Sequence, residues 1–342
     1  MSISPVLEKL RSTTSSALRD VLEGETNVAV LDFPGHMNVG DSMIWAGEMA
    51  YLHAAGIRIR YMTDIERFSA ETLRRRHPDG PILLHGGGNL GDVWPRFQSF
   101  REHVVSTFPD RKIVQLPQTL YFGSDERAAQ ANEIFGKHRD LTVLLRDHNS
   151  IRRSQKHLPA VKTRFVPDMA LGWTPPVEGG QANRGILLLA RQDAESKGNV
   201  GDLREGLANL GQVETADWGL TGSSLTRWKA TRIPGRLVRR FASLHGWDAT
   251  TLALHQAYKS MLRMNLNAGT SLFQGRQLIV TDRLHAHVLA ALMGIPHVVL
   301  DNSYGKVGSI FTDYTGEFES AHFAKNHEEA LDIARGILAG KA

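Results

Sequence analysis

Cysteine is absent from this chain of 342 residues. Its absence excludes disulfide bonds, thiolate metal sites and a cysteine nucleophile, and it is typical of cytoplasmic proteins. Long apolar runs are absent too. None reaches the roughly 18 residues of a membrane-spanning helix, and residues 1–24 lack the apolar core of a signal peptide. We therefore expect a cytoplasmic protein without a transmembrane helix.

A strong excess of one charge is also missing, since 40 lysine and arginine residues nearly balance 36 aspartate and glutamate residues. The net charge of +4 is too small to indicate a nucleic-acid partner, and we expect none. Residues 227–241 are the exception, because they include no acidic residue and several basic ones. The basic residues of this segment are Arg227, Lys229, Arg232, Arg236, Arg239 and Arg240.

This basic segment has two possible explanations. It either lies peripherally on the anionic inner face of the cytoplasmic membrane or forms an ordinary solvated surface. Pro234 and Gly235 interrupt it, so two short pieces are expected rather than one continuous amphipathic helix. The side chains that could anchor it in a membrane are Trp228, Leu237, Val238 and Phe241.

Short apolar runs alternate with segments of helical spacing along most of the chain. Strands that alternate with helices predict mainly parallel sheets covered on both faces, so we expect an α/β protein of two Rossmann-like domains. An N-terminal extension (1–24) would precede the first domain (25–175). A linker rich in proline and glycine (176–184) would lead to the second domain (185–342), which carries the basic insertion 220–246.

The pattern predicts individual elements in both domains. The predicted strands are 28–33, 57–62, 82–84, 113–116, 142–145, 164–166, 185–190, one near Val213, 278–281 and 297–300. The predicted helices are 41–55, 95–108, 125–137, 148–157, 249–273, one after His285, and 327–338.

Polar residues follow several strands of the first domain, at the edge where open α/β sheets bind ligands. Residues 85–92 combine three consecutive glycines with Asn89 and Asp92, and such a turn can present backbone N–H groups to an anion. A tight turn between strand and helix is the alternative, but a plain turn would not require the polar groups of Asn89 and Asp92. Asp41 either caps the following helix, contacts a sugar hydroxyl or serves as an active-site carboxylate.

Further polar residues follow the later strands of the same domain. Gln118 is expected near the same edge. Arg146 should either pair with Asp147 or face a ligand, because arginine is seldom buried without a partner. Asp168 can be structural.

The second domain places basic residues after two strands. The strand 278–281 leads into Arg283 and His285, and the strand 297–300 leads into Ser303 and Lys306. Both strands would deliver their side chains to one edge of the sheet. Two cations and a titratable imidazole suit a small, multiply anionic substrate such as a phosphorylated carboxylic acid.

The fifteen histidines raise the question of a metal site. His285 and His287 are two residues apart, so on a helix they point to different sides, which is poor spacing for one ion. No compact cluster of histidine and carboxylate residues appears elsewhere in the sequence. We expect no protein-held metal, and we expect His287 to be packed or to support a neighbour.

Six motifs occur in a fixed order and together resemble the polysaccharide pyruvyltransferase family, especially its bacterial exopolysaccharide branch. The resemblance runs from about residue 27 to about residue 311. The motifs are Asn38-Val39-Gly40-Asp41, Gly86-Gly87-Gly88-Asn89 with Asp92 to Pro95, Gln115 to Gln118, Arg146-Asp147, Pro167-Asp168 and Asp282 to His285.

The resemblance implies a fold similar to glycosyltransferase-B, with the active site in the cleft between the domains. It also implies phosphoenolpyruvate as the donor and no cofactor. The acceptor would be a lipid-linked oligosaccharide or polysaccharide, one sugar of which becomes a pyruvate ketal. The family's Arg-Leu-His motif falls on Arg283, Leu284 and His285, and a later basic residue of the family falls on Lys306.

Roles for individual residues follow from the resemblance. His285 suits acid–base catalysis, while Arg283 and Lys306 suit stabilisation of the carboxylate and the departing phosphate. The sequence leaves open which acceptor-side residue removes the proton of the sugar hydroxyl. The expected donor-binding residues are Arg146, Arg283, His285, Ser303 and Lys306. The expected acceptor-binding residues are Asn38, Asp41, Gly87, Gly88, Asn89, Asp92 and Gln118.

Two rival functions remain at this point. A nucleotide-sugar glycosyltransferase of the same architecture would offer an acidic residue to a ribose and a glycine-rich turn to a diphosphate. Arg283, His285 and Lys306 favour a smaller and more anionic donor instead. A non-catalytic protein that binds anions or sugars is the second rival, and release of phosphate in the presence of acceptor would separate it from an enzyme.

Overall fold

A computed structural model of the chain describes residues 4–177, 182–190, 200–241, 247–301 and 305–340. The chain forms two compact units. The first comprises Lys9–Trp173 and Leu220–Asn265, and the second comprises Met1–Glu8, Thr174–Gly219 and Leu266–Ala342. Each unit is built around its own parallel sheet.

The first unit contains a seven-stranded parallel sheet within the described residues, in the order β2-β1-β3-β5-β6-β7, with β4 paired to β5. Its central strands β3, β5 and β6 are mainly apolar and almost wholly buried, as is typical of parallel sheets. The strands are β1 (Asn27–Leu31), β2 (Arg58–Thr63), β3 (Ile82–Leu84), β4 (Gly87–Gly91), β5 (Ile113–Tyr121), β6 (Leu141–Leu145) and β7 (Lys162–Phe165).

The second unit contains a five-stranded parallel sheet within the described residues, in the order β12-β11-β10-β8-β9. The expectation of an α/β protein with two parallel sheets is thereby confirmed. Its strands are β8 (Ile186–Leu189), β9 (Val213–Thr215), β10 (Leu278–Thr281), β11 (His297–Leu300) and β12 (Ala321–Ala324), and β12 was not predicted.

Helices connect the strands in both units. In chain order they are α1 (Pro5–Leu22), α2 (Val39–Ala54), α3 (Ala70–Arg76), α4 (Pro95–Thr107), α5 (Asp125–Gly136), α6 (His148–His157), α7 (Val200–Ala208), α8 (Gly222–Thr231), α9 (Ile233–Arg240), α10 (Asp248–Phe273), α11 (Leu284–Met293), α12 (Lys306–Asp313) and α13 (His327–Leu338). Short 3-10 turns cover Ile65–Arg67, Met169–Gly172 and Thr315–Glu317. No helix in the described part of the chain is long and apolar enough to cross a membrane.

Two features of the first unit differ from expectation. The glycine-rich stretch is not only a turn between strand and helix, because Gly87–Gly91 forms β4 beside β5. Gly91 has φ 120°, and a Cβ there would lie 1.7 Å from Tyr121 O, so the close pairing of these two strands requires glycine. β5 continues to Tyr121, which places Gln118 inside a strand rather than after it.

The N-terminal extension contains a helix that the sequence reading did not predict. α1 buries Leu10, Leu18 and Leu22. Arg11 donates from Nε to Leu171 O at 2.7 Å and from Nη2 to Trp173 O at 3.0 Å. These long-range bonds fix the helix, and a local sequence pattern could not reveal them.

The basic segment folds as two short helices, α8 and α9, as predicted, and Pro234 lies in the first turn of α9. The sequence reading placed 220–246 in the second domain, whereas Leu220–Asn265 group with the first unit. Trp228 and Val238 were expected as membrane anchors, but both are buried, because the two helices turn these apolar residues toward the first unit. Residues 242–246 lie outside the described residues.

Candidate active site

The carboxyl end of β10 carries two of the predicted catalytic side chains. Thr281 donates from Oγ1 to Leu189 O at 2.6 Å and accepts from Arg283 N–H at 3.1 Å. This hydroxyl fixes the turn, so that α11 begins directly after Arg283, its N-cap residue. The unpaired N–H groups of a helix N-terminus favour an anion nearby.

The Arg283 side chain pairs with an acidic residue through only part of its guanidinium group. Its Nη2 lies 2.9 Å from Asp217 Oδ1, whereas its Nε is buried and has no hydrogen-bond partner among the described residues. A buried donor without an acceptor costs roughly 1–3 kcal/mol. A carboxylate or phosphate oxygen at Nε would remove that cost, which is the chemistry expected of the donor.

The other members of the predicted donor cluster are only partly placed. His285 lies partly buried on the first turn of α11. Lys306 is the first residue of α12 and follows β11 in the chain. The Lys306 side chain and residues 302–304, with Ser303 among them, lie outside the described residues. Their contacts with a donor stay predictions.

His287 is packed, as expected. Its Nδ1 lies 2.7 Å from His297 Nε2, its Nε2 lies 2.6 Å from Thr315 Oγ1, and His297 Nδ1 lies 2.8 Å from Ile295 O. Burial lowers the pKa of His287 well below its ordinary value and lowers that of His297 to about 4. Both rings therefore stay neutral near pH 7 and support α11.

The sequence reading missed a cavity of about 320 Å³ at the carboxyl edge of the second sheet. Its wall includes Asp282 after β10, Asp301 after β11, and Lys325 and His327 after β12. Arg283 and His285 do not line it. Asp301 directly follows the predicted strand β11, so the sequence already indicated its position. Lys325 and His327 follow β12, which had not been predicted.

In the first unit, two predicted acceptor-binding residues hold the sheet together. Asn89 N–H donates to Gln118 Oε1 at 3.0 Å, and Gln118 Nε2 donates to Asn89 Oδ1 at 3.0 Å and to His85 O at 3.1 Å. The fully buried Arg101 donates to Asn89 O at 3.1 Å and to Gln115 Oε1 at 2.7 Å. This network fixes β4 against β5.

Asp92 and Gly88 also make internal contacts. The Asp92 carboxylate accepts from Gly123 N–H at 2.8 Å and from Ser124 N–H at 2.8 Å, so it fixes the loop before α5. A Cβ on Gly88 would lie 2.8 Å from Arg146 Nη2, and Gly87 has φ 135°. The absence of side chains at these two glycines lets the Arg146 guanidinium and Ile44 approach the backbone.

Arg146 does not pair with Asp147, which was one of the two alternatives that the sequence left open. It is buried, with Nη1 2.7 Å from Asp168 Oδ2 and Nε donating to Thr119 Oγ1 at 2.9 Å. Asp147 instead caps α6 and accepts from Ser150 N–H at 2.7 Å. The charge of Arg146 is matched by a residue far along the chain, because β6 and β7 end side by side.

Asn38 and Asp41 form a small polar group with His36. Asn38, rather than Asp41, caps α2 through its side-chain oxygen. Asp41 Oδ2 lies 2.7 Å from His36 Nε2 and accepts from Asn38 Nδ2 at 2.9 Å. Burial lowers the pKa of His36, but the hydrogen bond and charge of Asp41 outweigh it and raise that pKa above its ordinary value.

Three titratable residues beside this group were missed. Asp32 follows β1 with φ 70° and is buried, and burial raises its pKa to about 6. His85 follows β3, and its Nδ1 lies 2.9 Å from the fully buried Glu48, while its Nε2 has no partner among the described residues. Asp32 and His85 could have been found, since each directly follows an apolar run, as Arg146 does.

The pKa of His85 shows how strongly these groups interact. Burial lowers it, but the charge and hydrogen bond of Glu48 raise it above its ordinary value, and the charges of Asp32 and Asp41 add to that effect. The first unit thus holds a connected set of carboxylates and imidazoles at the ends of β1 and β3. Such perturbed groups are typical of functional sites.

A cavity of about 370 Å³ in the first unit adjoins this set. Asp32 and His36 line it together with residues of the 3-10 turn Ile65–Arg67, of α8 and of α10. Among the described residues, no group of three or more histidine and carboxylate side chains could hold a metal ion. The side chains that line the cavity offer hydrogen bonding and acid–base chemistry.

Comparison with known proteins gives a consistent result. A model of the polysaccharide pyruvyl transferase family matches residues 38–304. The chain is 29% identical over 296 residues to EpsO of Bacillus subtilis (strain 168). That alignment covers 86% of this chain and 88% of EpsO. It is 30% identical over 299 residues to pyruvyl transferase 1 of Schizosaccharomyces pombe, covering 83% of this chain and 68% of that protein.

A solved structure supports the fold alone. An uncharacterized protein of Klebsiella pneumoniae subsp. pneumoniae NTUH-K2044 superposes with a TM-score of 0.57 at 15% sequence identity, covering 95% of this chain and 100% of that chain.

Proposed function

The chain belongs to the polysaccharide pyruvyl transferase family, and we propose that it transfers the enolpyruvyl group of phosphoenolpyruvate to a sugar of an exopolysaccharide repeat unit, forming a pyruvate ketal. It is therefore a transferase. The family match over residues 38–304 carries the proposal, since it spans Asn38 and Asp41 at one end and Arg283 and His285 near the other. The donor and the ketal are the parts of the proposal that need a test.

The proposed chemistry balances without a redox step. A proton is added to the methylene carbon of phosphoenolpyruvate, and a sugar hydroxyl attacks the neighbouring carbon and loses its proton. A second hydroxyl of the same sugar attacks that carbon and loses its proton, and the carbon–oxygen bond to phosphate breaks with its electron pair. Of the two hydroxyl protons, one ends on the new methyl group and the other on the released hydrogen phosphate.

The residues at the carboxyl end of β10 suit the donor half of this reaction. Arg283 offers a buried Nε without a partner among the described residues, and α11 begins at the same point, so an anionic group would be stabilised there. His285, on the first turn of α11, is the proposed proton donor to the methylene carbon. Lys306 and Ser303 are proposed to hold the phosphate.

Arg146 fits the donor less directly. It is buried and bonded to Asp168, so its charge is already balanced inside the first unit. We propose that Arg146 chiefly supports β4. Its binding of the donor stays a prediction. A glycosyltransferase-B-like arrangement with an active site between the two domains stays a prediction as well.

The decisive experiment measures transfer in the presence of a chelator. Purified protein is incubated with phosphoenolpyruvate and a synthetic glycoside in EDTA, and phosphate release and product mass are recorded. We expect phosphate release coupled to a ketal product, because the proposed reaction uses side chains and no metal or cofactor. Activity restored only by a divalent metal would overturn the metal-free part, and activity only with a nucleotide sugar would overturn the donor.

A further inference from the structure

The 370 Å³ cavity of the first unit is large enough for a small ligand, since ligand pockets usually measure about 300–1,000 Å³. Aromatic residues contribute much of its wall. Phe33 stacks on Tyr258 with ring centroids 4.1 Å apart, and Phe97 and Trp228 also line the space. Aromatic faces of this kind bind the apolar C–H faces of sugar rings.

Charged groups of both signs complete the wall. Asp32, Asp64 and Glu66 line the cavity with Arg67, Arg96 and Arg232, and His36 lies beside them. A ligand as anionic as phosphoenolpyruvate or a nucleoside diphosphate would gain little from a wall in which carboxylates offset the cations. Hydroxyl groups, which both donate and accept hydrogen bonds, match such a mixture.

The wall is held in place before any ligand arrives. Tyr258 donates from its hydroxyl to Asp64 Oδ2 at 2.9 Å, and Asp64 also pairs with Arg67. The Arg67 guanidinium packs against Gly235 of α9, where a Cβ would lie 2.3 Å from its Nε. Because these side chains are fixed, binding would cost little conformational entropy.

Two donors of the wall remain unsatisfied. Trp228 Nε1 and Arg67 Nε are buried and have no hydrogen-bond partner among the described residues. An unpaired buried donor is costly and is usually satisfied by a ligand or water. Both residues line the cavity. Trp228 Nε1 is the donor that suits an acceptor oxygen of a bound molecule, because Arg67 Nε packs against Gly235.

From this set of contacts we propose that the cavity binds the acceptor saccharide and that the Asp32 carboxylate takes the proton of the attacking hydroxyl. This inference rests on the proposed function. Asp32 is buried, lines the cavity at the carboxyl end of β1, and has φ 70°, a conformation that seldom persists without a reason. Arg101 Nη2 lies 3.8 Å from Asp32 Oδ2, beyond hydrogen-bond distance.

The proton balance of the step is simple. The hydroxyl oxygen forms the bond to the former enol carbon, and its O–H bond breaks with the proton passing to Asp32. His285 supplies the separate proton to the methylene carbon. The carboxylate needs to be ionised at the start, which is favoured by the neighbouring positive charges of Arg101, His85 and His36 and opposed by burial and by Asp41.

The first experiment measures saccharide binding without turnover. Saturation-transfer NMR is recorded with methyl glucoside, galactoside and mannoside and with their disaccharides, for wild type, Trp228→Phe and the exposed control Trp94→Phe. We expect Trp228→Phe, which keeps a ring but loses the N–H, to weaken binding roughly 2- to 13-fold, and the control to bind as wild type. Absence of binding by every glycoside, or equal binding by Trp228→Phe, overturns the site.

The second experiment measures transfer by Asp32→Asn, with the exposed Asp110→Asn as a matched control. We expect the turnover number of Asp32→Asn to fall about 10²- to 10⁴-fold while the affinities for glycoside and phosphoenolpyruvate persist. Near-normal turnover shows that Asp32 is not the base, although pyruvyl transfer itself stands. Glycoside binding by the wild type without any pyruvyl transfer would instead contradict the proposed function. The cavity would then still be a sugar-binding site.

An independent observation concerns the outer face of α9. Ile233 and Leu237 of α9, with Phe241 directly after it, recur every four residues and are each about half exposed. On the opposite face Gly235 and Val238 are buried. This exposed apolar stripe is therefore not the side of the helix that packs against the unit.

Basic residues flank the stripe. Arg236 and Arg240 are exposed and lie beside it at helical spacing, and residues 220–241 include no acidic residue. Apolar side chains next to arginines on an exposed helix face are the pattern of an interfacial membrane helix. The charge complements anionic lipid headgroups rather than a second copy of the same basic surface.

We infer that α9 rests on the surface of an anionic bilayer, with Ile233, Leu237 and Phe241 as anchors. Leu237 and Phe241 were expected anchors and Ile233 is added to them, whereas Trp228 and Val238 are buried. Gly235, on the buried side of α9, lines the cavity. The same helix would therefore contact the membrane with its outer face and the saccharide cavity with its inner face. A short apolar stripe with a few flanking basic residues suits reversible, salt-sensitive binding rather than insertion.

Cosedimentation tests this inference with vesicles of phosphatidylcholine, with and without phosphatidylglycerol, at low and high salt. We expect binding only to anionic vesicles at low salt. Arg236→Gln with Arg240→Gln should reduce it at least tenfold, Ile233→Gln with Leu237→Gln similarly, and the control Val177→Gln not at all. Equal binding by all variants, or no vesicle binding with concentration-dependent dimerisation in light scattering, overturns it.

Discussion

The carboxyl edges of the two sheets use their polar residues differently. At the first edge, Asn89 and Gln118 bond to each other, and Arg146 is paired with Asp168. At the second edge, Arg283 keeps a buried Nε without a partner in the described residues. A polar residue after a strand can thus either form hydrogen bonds within the fold or keep a group available for a ligand. Its hydrogen-bond partners distinguish the two cases.

The largest effect is expected at the second edge. His285→Ala should lower the turnover number about 10²- to 10⁴-fold with little change in thermal stability, because the imidazole is proposed to donate a proton and lies only partly buried. Steady-state phosphate release and thermal melting check this, with the exposed His53→Ala as control. If turnover stays near normal, the proton must come from another residue.

The first edge should respond through stability. Arg146→Met removes the cation of a buried ion pair, so the free energy of unfolding should fall by about 3–5 kcal/mol. Urea denaturation measures this, and the more exposed pair is the comparison, since Arg164→Met should cost less than about 1 kcal/mol. Unchanged stability with weaker phosphoenolpyruvate binding would instead place Arg146 in the donor site.

Asp32 belongs to the first edge but should behave as a functional residue. Burial raises its pKa from 3.8 to about 6, so the native state favours the protonated carboxyl, and the associated stability is lost as pH rises through about 6. Asp32→Asn should therefore increase the free energy of unfolding at pH 8 by on the order of 3 kcal/mol and change it much less at pH 4. Denaturation at both pH values checks this, and an equal effect at both would contradict it.

The smallest effect is expected for Asp92, which bonds to the N–H groups of Gly123 and Ser124 at the surface. Asp92→Ala should cost about 1 kcal/mol of stability and leave the acceptor KM unchanged. Thermal melting and acceptor titration measure both quantities. A higher acceptor KM with unchanged stability would restore Asp92 to the acceptor site and weaken the contrast between the two edges.

Sequence reasoning recovered the fold through local patterns. β3 and α13 were predicted with the bounds that the structure shows, because short apolar runs and helical spacing are local signals. β4 and α1 were missed, since β4 depends on its pairing with β5 and α1 on the bonds from Arg11 to Leu171 and Trp173. A local sequence pattern carries no information about partners that lie far along the chain.

The candidate site residues were chosen from the same kind of local pattern. Arg283 and His285 were proposed because they follow an apolar strand, and the same rule points to Asp32 and His85. The rule could not show that Gln118 and Asn89 would bond to each other, nor that Asp168 would take Arg146. It also could not show that Trp228 would line a cavity, because α8 joins the first unit from a distant part of the sequence.

That discontinuity of the first unit has a consequence for biosynthesis. Its sheet is complete when β7 has been made, yet α8 and α10, which help to wall the cavity, follow β8 and β9 of the second unit in the chain. A growing chain can therefore assemble the sheet on the ribosome well before the cavity exists. An enzyme truncated at the predicted linker would lack that wall, so the first unit cannot be obtained by a single cut.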